Sequence, residues 1–349
     1  MLDPSQKLAI YAEATMGLIN AKMAEGIIRY GRNPVVAVID SKAAGKTVGD
    51  LCKMTSAIPI VATLDEAIAL GAEVLALGTA PSGGRVPREW MAVLQAAVDA
   101  GLSIVNGLHD PLNAVFGAQL KAGQWIWDIR IPQGDMPPIA TARAAGLRNK
   151  RVLMIGTDMA IGKMTAGLEI YRSLKTRGAD AAFLATGQIG VSIMGNGIPL
   201  DAFRVDHAAG AVERMVMEAA GHDIVIIEGQ GSLLHPGSTA TLPLMRGSST
   251  NAMILCHRAG MKILDTEGSV PIPPLRDVIA LNEMTASANG ALTKAKVIGI
   301  ALNTRDLDPE AAAKAIAETE AESGLPTTDP VRNGGDLLAE QILACSVEG

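Results

Sequence analysis

Val152-Leu-Met-Ile-Gly156-Thr-Asp-Met-Ala-Ile-Gly162-Lys163-Met-Thr165 begins with an apolar, strand-like run, turns through a glycine-bounded loop, and continues from Met164 with helical spacing. Strand, Gly-Lys loop and helix therefore follow one another in the order a phosphate-binding P-loop requires. The backbone N–H groups of such a loop, together with the helix N-terminus behind it, present partial positive charge to phosphate oxygens. Lys163 can lie across two phosphates, and Gly162 lets the backbone approach them. Gly156, Thr157, Asp158, Ala160, Ile161, Gly162, Lys163, Met164 and Thr165 are accordingly expected to hold the phosphorylated cofactor or co-substrate. The bland alternative is a simple strand-to-helix turn with an exposed lysine.

Two departures from G-x-x-x-x-G-K-[ST] bear on the ligand. Five residues separate Gly156 from Gly162, and Met164 stands where a hydroxyl normally follows the lysine, the hydroxyl being displaced to Thr165. In nucleotide hydrolases that hydroxyl holds Mg²⁺. Its displacement leaves phosphate binding intact but weakens the case for Mg-dependent phosphoryl transfer. A ligand whose phosphates act only as a handle, such as coenzyme A, needs no metal there.

Outward from the loop, apolar runs bounded by turn residues recur at Ala181 to Thr186, Ile224 to Glu228, Met253 to Cys256 and Lys296 to Asn303, with helical segments such as Lys163 to Arg177, Ala208 to Ala220 and Glu310 to Ser323 among them. The same alternation precedes the loop: Pro34 to Asp40, Ile60 to Thr63, Glu73 to Gly78 and Leu102 to Asn106 read as strands, Leu64 to Leu70 and Pro87 to Ala100 as helices. Alternating strands and helices predict parallel sheets with right-handed crossovers. The chain's 349 residues are too many for one typical core. Pro132, Pro137 and Pro138 interrupt the pattern and mark a linker. The predicted fold class is α/β, with a Rossmann-like N-terminal domain over residues 1–140 and a P-loop NTPase-like domain, mainly of parallel sheet, over 141–349.

In open α/β sheets ligands sit beyond the carboxyl ends of the strands. Asp223-Ile-Val-Ile-Ile-Glu228-Gly-Gln-Gly231 ends such a strand in a carboxylate and a Gly-rich turn that runs on to His235. Glu228 and His235 are thus the acid-base candidates facing the same crevice as Lys163. Glu228 can equally ligand a metal or pair with Lys163, and His235 can be a loop-packing residue. Gln188 and Arg204, near the end of the Ala181 strand, are candidate ligand contacts, and Asn303 is a candidate neighbour of an adenine base or else a strand-end cap. Strand-end loops before residue 140 place Arg85 and His109 as further candidates. They lack a complete G-x-G-x-x-G, so a dinucleotide fingerprint is absent.

Composition narrows the remaining classes. Hydrophobic residues reach 48% while aromatics are only 3%, as in helix-on-sheet cores of Ala, Val, Ile, Leu and Met. A formal charge of −6 without a basic run argues against a nucleic-acid partner. The cysteines, Cys52, Cys256 and Cys345, have no CxxC spacing, so neither a disulfide framework nor a metal site is expected, and a cytoplasmic location fits. No apolar stretch approaches the ~18 residues of a membrane span. Small-molecule substrates, no membrane partner and a homo-oligomeric state are the expectations for partners.

Gly156-Thr-Asp-Met-Ala-Ile-Gly-Lys-Met-Thr165, Glu228-Gly-Gln-Gly-Ser-Leu-Leu-His-Pro236, Gly299-Ile-Ala-Leu-Asn303 and Asn106-Gly-Leu-His-Asp110 together resemble the DgcN-type D-glutamate N-acetyltransferase family of P-loop proteins. The resemblance covers essentially the whole chain. It implies transfer of an acetyl group from acetyl-CoA to the amino group of D-glutamate, within D-amino-acid catabolism. It further implies cationic partners for two substrate carboxylates, for which Arg204, Arg246 and Arg85 are candidates. The loop is also similar to that of dethiobiotin synthetase, which keeps the alternative of an ATP/Mg-dependent ligase or kinase open, with Thr165 or Asp158 and Glu228 organising the metal. A nucleotide-sensing protein without turnover is the third alternative.

Overall fold

The computed structural model describes residues 2–52, 54–132 and 134–346. They form two compact units, one of Met1–Gln133 with Gln188–Ala202, the other of Gly134–Gly187 with Phe203–Gly349. Each unit is built on one six-stranded sheet in which every paired strand is parallel. Parallel sheets are covered on both faces by their crossover helices, which explains the almost unbroken apolar strands. Among the described residues no helix is long and apolar enough to cross a membrane.

In the first unit the strands are β1 (Leu8–Tyr11), β2 (Val35–Ile39), β3 (Ile60–Val61), β4 (Val74–Leu77), β5 (Ser103–Asn106) and β6 (Ile126–Asp128). Their order, β3-β2-β1-β4-β5-β6, is that of a Rossmann-like sheet. The central strand β1 and the edge strand β6 were absent from the expected strands. The core gathers Ala9, Leu75, Leu77, Leu94 and Ile104 around Tyr11 and Trp90, whose rings meet edge to face at 5.0 Å.

In the second unit the strands are β7 (Lys150–Gly156), β8 (Ala181–Leu184), β9 (Ile224–Ile227), β10 (Ala252–Arg258), β11 (Lys296–Asn303) and β12 (Thr327–Thr328), in the order β12-β11-β10-β7-β9-β8. The sheet's order reverses about β7, so the loops leaving β7, β9 and β10 converge at its carboxyl edge. Arg151 anchors the opposite end of β7. Its buried guanidinium donates to the carbonyls of Leu147, Asn149, Ser248 and Ser249.

The units divide differently from the expected boundary near residue 140. Residues 134–149 pack onto the second unit: Glu213, fully buried on the helix Val205–Glu218, accepts from the N–H groups of Thr141 and Arg143, and His207 Nδ1 lies 2.7 Å from the Pro137 carbonyl. Residues 188–202 belong to the first unit, where the helix Gln188–Met194 packs against the helix Lys22–Tyr30 and Asp201 pairs with Arg130. The apolar residues Val191, Ile193 and Met194 are buried there.

Candidate functional site

The loop from Gly156 to Lys163 is held by its neighbours on both sides of β7. Thr157 N–H donates to the Cys256 carbonyl at 3.1 Å, continuing the β7–β10 ladder. The Thr157 hydroxyl lies 2.9 Å from His257 Nδ1, and the Asn303 amide donates to the Ile161 carbonyl at 2.9 Å. Gly162 has φ +114°, a conformation that L side chains rarely adopt, and the helix Lys163–Thr176 starts directly behind it. The sequence Ala160-Ile161-Gly162 therefore delivers Lys163 to the helix N-terminus with its ammonium turned back into the loop, donating to the Asp158 carbonyl at 2.7 Å. Lys163 is almost wholly buried, and burial pushes its pKa down to about 8, with Cys256, Asp158 and Glu228 opposing the shift. A buried ammonium bonded to a loop carbonyl is poised to exchange that carbonyl for phosphate oxygens.

Beside it, at the end of β9, Glu228 is buried and aims its Oε2 at the N–H groups of Thr186 and Gly187, at 2.8 and 3.1 Å. Burial dominates over these donors and over the charge of Lys163, raising the carboxyl to about 7. Such a group changes protonation state near neutrality, which general acid-base chemistry requires. The close approach is made possible by Gly229: a Cβ there would stand 1.6 Å from the Met154 carbonyl oxygen of β7 and 3.0 Å from Lys163 Cδ.

His235 reaches the loop from the turn after β9. Gly237 N–H donates to its Nδ1 at 3.0 Å, so the neutral ring carries its proton on Nε2, which faces Asp158 Oδ1 at 3.9 Å. Asp158 is buried, and its two oxygens accept from the N–H groups of Met159 at 2.6 Å and Asp265 at 2.8 Å. The loop carboxylate is thus turned toward His235 and the 265 segment. Lys163, Glu228, Asp158 and His235 are brought together around the loop.

The sequence of the second unit matches the model of the DUF1611 C-terminal P-loop domain of unknown function over residues 138–339, and the first unit matches the DUF1611 N-terminal Rossmann-like domain over 41–132. The chain belongs to the DUF1611 family. A solved DUF1611 family protein from Anabaena variabilis is 47% identical with a TM-score of 0.93, covering 98% of this chain and 100% of that one. A D-glutamate N-acetyltransferase of Tritonibacter scottomollicae is 34% identical over 94% of this chain and 95% of its own length. A second D-glutamate N-acetyltransferase, from a Pseudoalteromonas species, is 32% identical over 79% of this chain and 83% of its own.

In this DUF1611 chain the remaining predicted residues stand on other elements. Gln188 opens the helix Gln188–Met194 of the first unit, its Cγ beside Gly107. Arg85, also in the first unit, is exposed and pairs with Asp110 at 3.0 Å. Arg204 is the exposed N-cap residue of the helix Val205–Glu218. Arg246 donates to the Thr285 and Ala286 carbonyls and so caps the C-terminal turn of the helix Leu275–Ala286. Its guanidinium is engaged in the fold, which supplies a structural reason for an arginine there. Met164 and Thr165 are half-buried on the first turn behind Lys163.

Three residues that the structure places beside the loop were not among the candidates read from the sequence: His257, Asp265 and Cys256. His257 is buried, and burial lowers its pKa, so it meets Thr157 as a neutral ring. Cys256 faces the charge of Lys163, and burial pushes its thiol up to about 12. The signal for both was their place at the end of β10, directly beside β7. A shallow depression of about 480 Å³ lined by Arg148, Lys150, His222 and Asp223 lies at the amino ends of β7 and β9, the opposite edge from these residues.

Proposed function

We propose that this chain transfers the acetyl group of acetyl-CoA to the amino group of D-glutamate. The observation that carries the proposal is the pairing of a phosphate cradle around Lys163 with a buried carboxylate, Glu228, whose protonation changes near pH 7. The two relatives named D-glutamate N-acetyltransferase support the choice of acyl acceptor. Met164 in place of a hydroxyl supports a diphosphate that is bound rather than cleaved.

The loop from Gly156 to Thr165 takes the diphosphate, with Lys163 leaving the Asp158 carbonyl to neutralise it. Glu228 removes a proton from the substrate ammonium, the freed amine attacks the thioester carbonyl, and the C–S bond breaks as the N–C bond forms. The nitrogen loses its second proton as the amide forms, so that of the two protons removed one leaves on the thiol of CoA and the other passes from Glu228 to solvent. Because Gly237 holds His235 as the Nε2–H tautomer, His235 acts as a hydrogen-bond donor to the developing oxyanion and Glu228 acts as the base. The alternative, an ATP/Mg mechanism, would have Thr165 or Asp158 organise the metal with Glu228; each Asp158 oxygen accepts one backbone N–H, from Met159 and from Asp265.

The test mixes purified protein with acetyl-CoA and either D- or L-glutamate and follows free thiol, with MgATP hydrolysis measured in parallel. Thiol release that requires D-glutamate is expected. ATP turnover without thiol release would overturn the proposal in favour of a ligase or kinase.

A further inference from the structure

Arg258 closes β10, one strand from the phosphate loop. Its Nε is buried and has no hydrogen-bond partner, and no ion pair to a carboxylate forms around it among the described residues. The contrast with Arg151, whose buried guanidinium is served by backbone carbonyls along its whole fork, is direct. A buried donor without an acceptor is costly.

The register locates this cation. Arg258 stands opposite Asn303 of β11, and Cys256 stands opposite Gly156 of β7. Residues in register on parallel neighbours share a face, and residues two apart on one strand share it again. Arg258 is therefore on the same face as Cys256, which feels the charge of Lys163, and as Asn303, whose amide holds the Ile161 carbonyl of the loop. It flanks the outer turn of the loop on the β11 side, whereas Glu228 lies beyond β7 on the β9 side. The reacting amine and the carboxylates next to it belong with Glu228. On the acetyl-CoA reading, the nucleoside end of the same ligand extends past the loop toward β11.

We propose that Arg258 binds a second phosphate, the monoester on the ribose 3′-oxygen of the CoA nucleotide, and so makes the site selective for CoA over nucleotides bearing only a 5′-diphosphate. This rests on the acetyl-CoA reading above. A phosphate monoester dianion matches the planar fork of arginine and supplies the acceptor that the buried Nε lacks. The loop and Lys163 contribute affinity common to both kinds of nucleotide, and Arg258 contributes the difference between them.

Calorimetric titration of the full chain with CoA and with 3′-dephospho-CoA tests this. The wild-type protein is expected to prefer CoA by on the order of tenfold to a hundredfold, the range of one charge-assisted phosphate contact. Arg258→Ala should bind CoA no better than dephospho-CoA, and Arg258→Lys should recover part of the preference, with circular dichroism confirming that each variant is folded. Equal wild-type affinity for the two ligands would overturn the assignment without needing any variant. So would an Arg258→Ala protein that keeps its preference for CoA but shows a raised KM for D-glutamate, which would move Arg258 to a substrate carboxylate. Failure of either CoA form to bind while ATP binds would instead overturn the acetyl-CoA reading itself.

Discussion

Glu228→Gln should make the protein more stable at alkaline pH and nearly inactive. The amide keeps the shape of the side chain and can still accept from the N–H groups of Thr186 and Gly187, as Glu228 Oε2 does now. What it removes is a charge held in a fully buried site. Relative to an ordinary value of 4.5, burial raises the carboxyl to about 7. Because the folded protein then holds its proton more tightly than the unfolded chain, wild-type stability is intact below about pH 4.5, declines as pH rises, and has lost its full share above about 7. A difference of roughly 2.5 pKa units at about 1.4 kcal/mol per unit is ~3 kcal/mol. The variant, which cannot ionise, should therefore match the wild type near pH 4 and exceed it by up to ~3 kcal/mol at pH 8, a rise of several degrees in Tm for a domain of this size. Thermal denaturation at the two pH values reads the effect. The same variant should lose ~10²–10⁴ in kcat, the usual contribution of a general base, with CoA affinity little changed. A gain in stability that is the same at both pH values would refute the buried-charge argument. A kcat within a few-fold of wild type would refute the catalytic one.

Lys163→Ala should weaken CoA binding by on the order of tenfold to a hundredfold, measured by calorimetry. In the wild type, the buried ammonium is charged below about pH 8 and neutral above it, so affinity for the dianionic diphosphate should fall as pH rises through 8; a flat profile to pH 9.5 would remove Lys163 from the phosphates. The rate under subsaturating substrate should consequently trace a bell whose acidic limb follows Glu228 and whose alkaline limb follows Lys163. His235→Ala should lower the plateau of that bell without shifting its acidic limb, since the ring donates rather than accepts; loss of the limb in this variant would make His235 the base. Gly229→Ala should cost ~3 kcal/mol or more, because the added Cβ would fall 1.6 Å from the Met154 carbonyl, and chemical denaturation would detect it.

The second unit was legible in the sequence because each of its signals repeats at more than one level. Val152 to Ile155 is apolar enough to be a buried strand, the glycines of the loop permit its turn, and the spacing after Met164 closes the strand-loop-helix order that no single motif establishes. Glu228 followed by the same logic, since a carboxylate at the end of Ile224–Ile227 has to emerge at the carboxyl edge of a parallel sheet. The first unit's central strand, Leu8–Tyr11, was not among the runs read as strands, and its pairing with Val35–Ile39 and Val74–Leu77 is what identifies it. The helix Gln188–Met194 was missed as part of the first unit because sequence proximity to Thr186 and Gly187 says nothing of where apolar Val191 and Ile193 find their partners.

The arginines proposed as substrate contacts were the hardest to read from the sequence, and the places of Arg246 and Arg85 explain why. Arginine is attractive as a carboxylate partner on chemical grounds alone, but the same fork serves equally well to cap helix carbonyls, as Arg246 does, or to pair on the surface, as Arg85 does with Asp110. Residue type and loop position cannot separate these uses. What separates them is the state of the donors once the chain is folded. Arg151 and Arg246 have found their acceptors in the backbone, whereas the buried Nε of Arg258 has not. An unsatisfied donor beside a phosphate loop is a property of three strands in register, β7, β10 and β11, and no one-dimensional pattern in the chain encodes it.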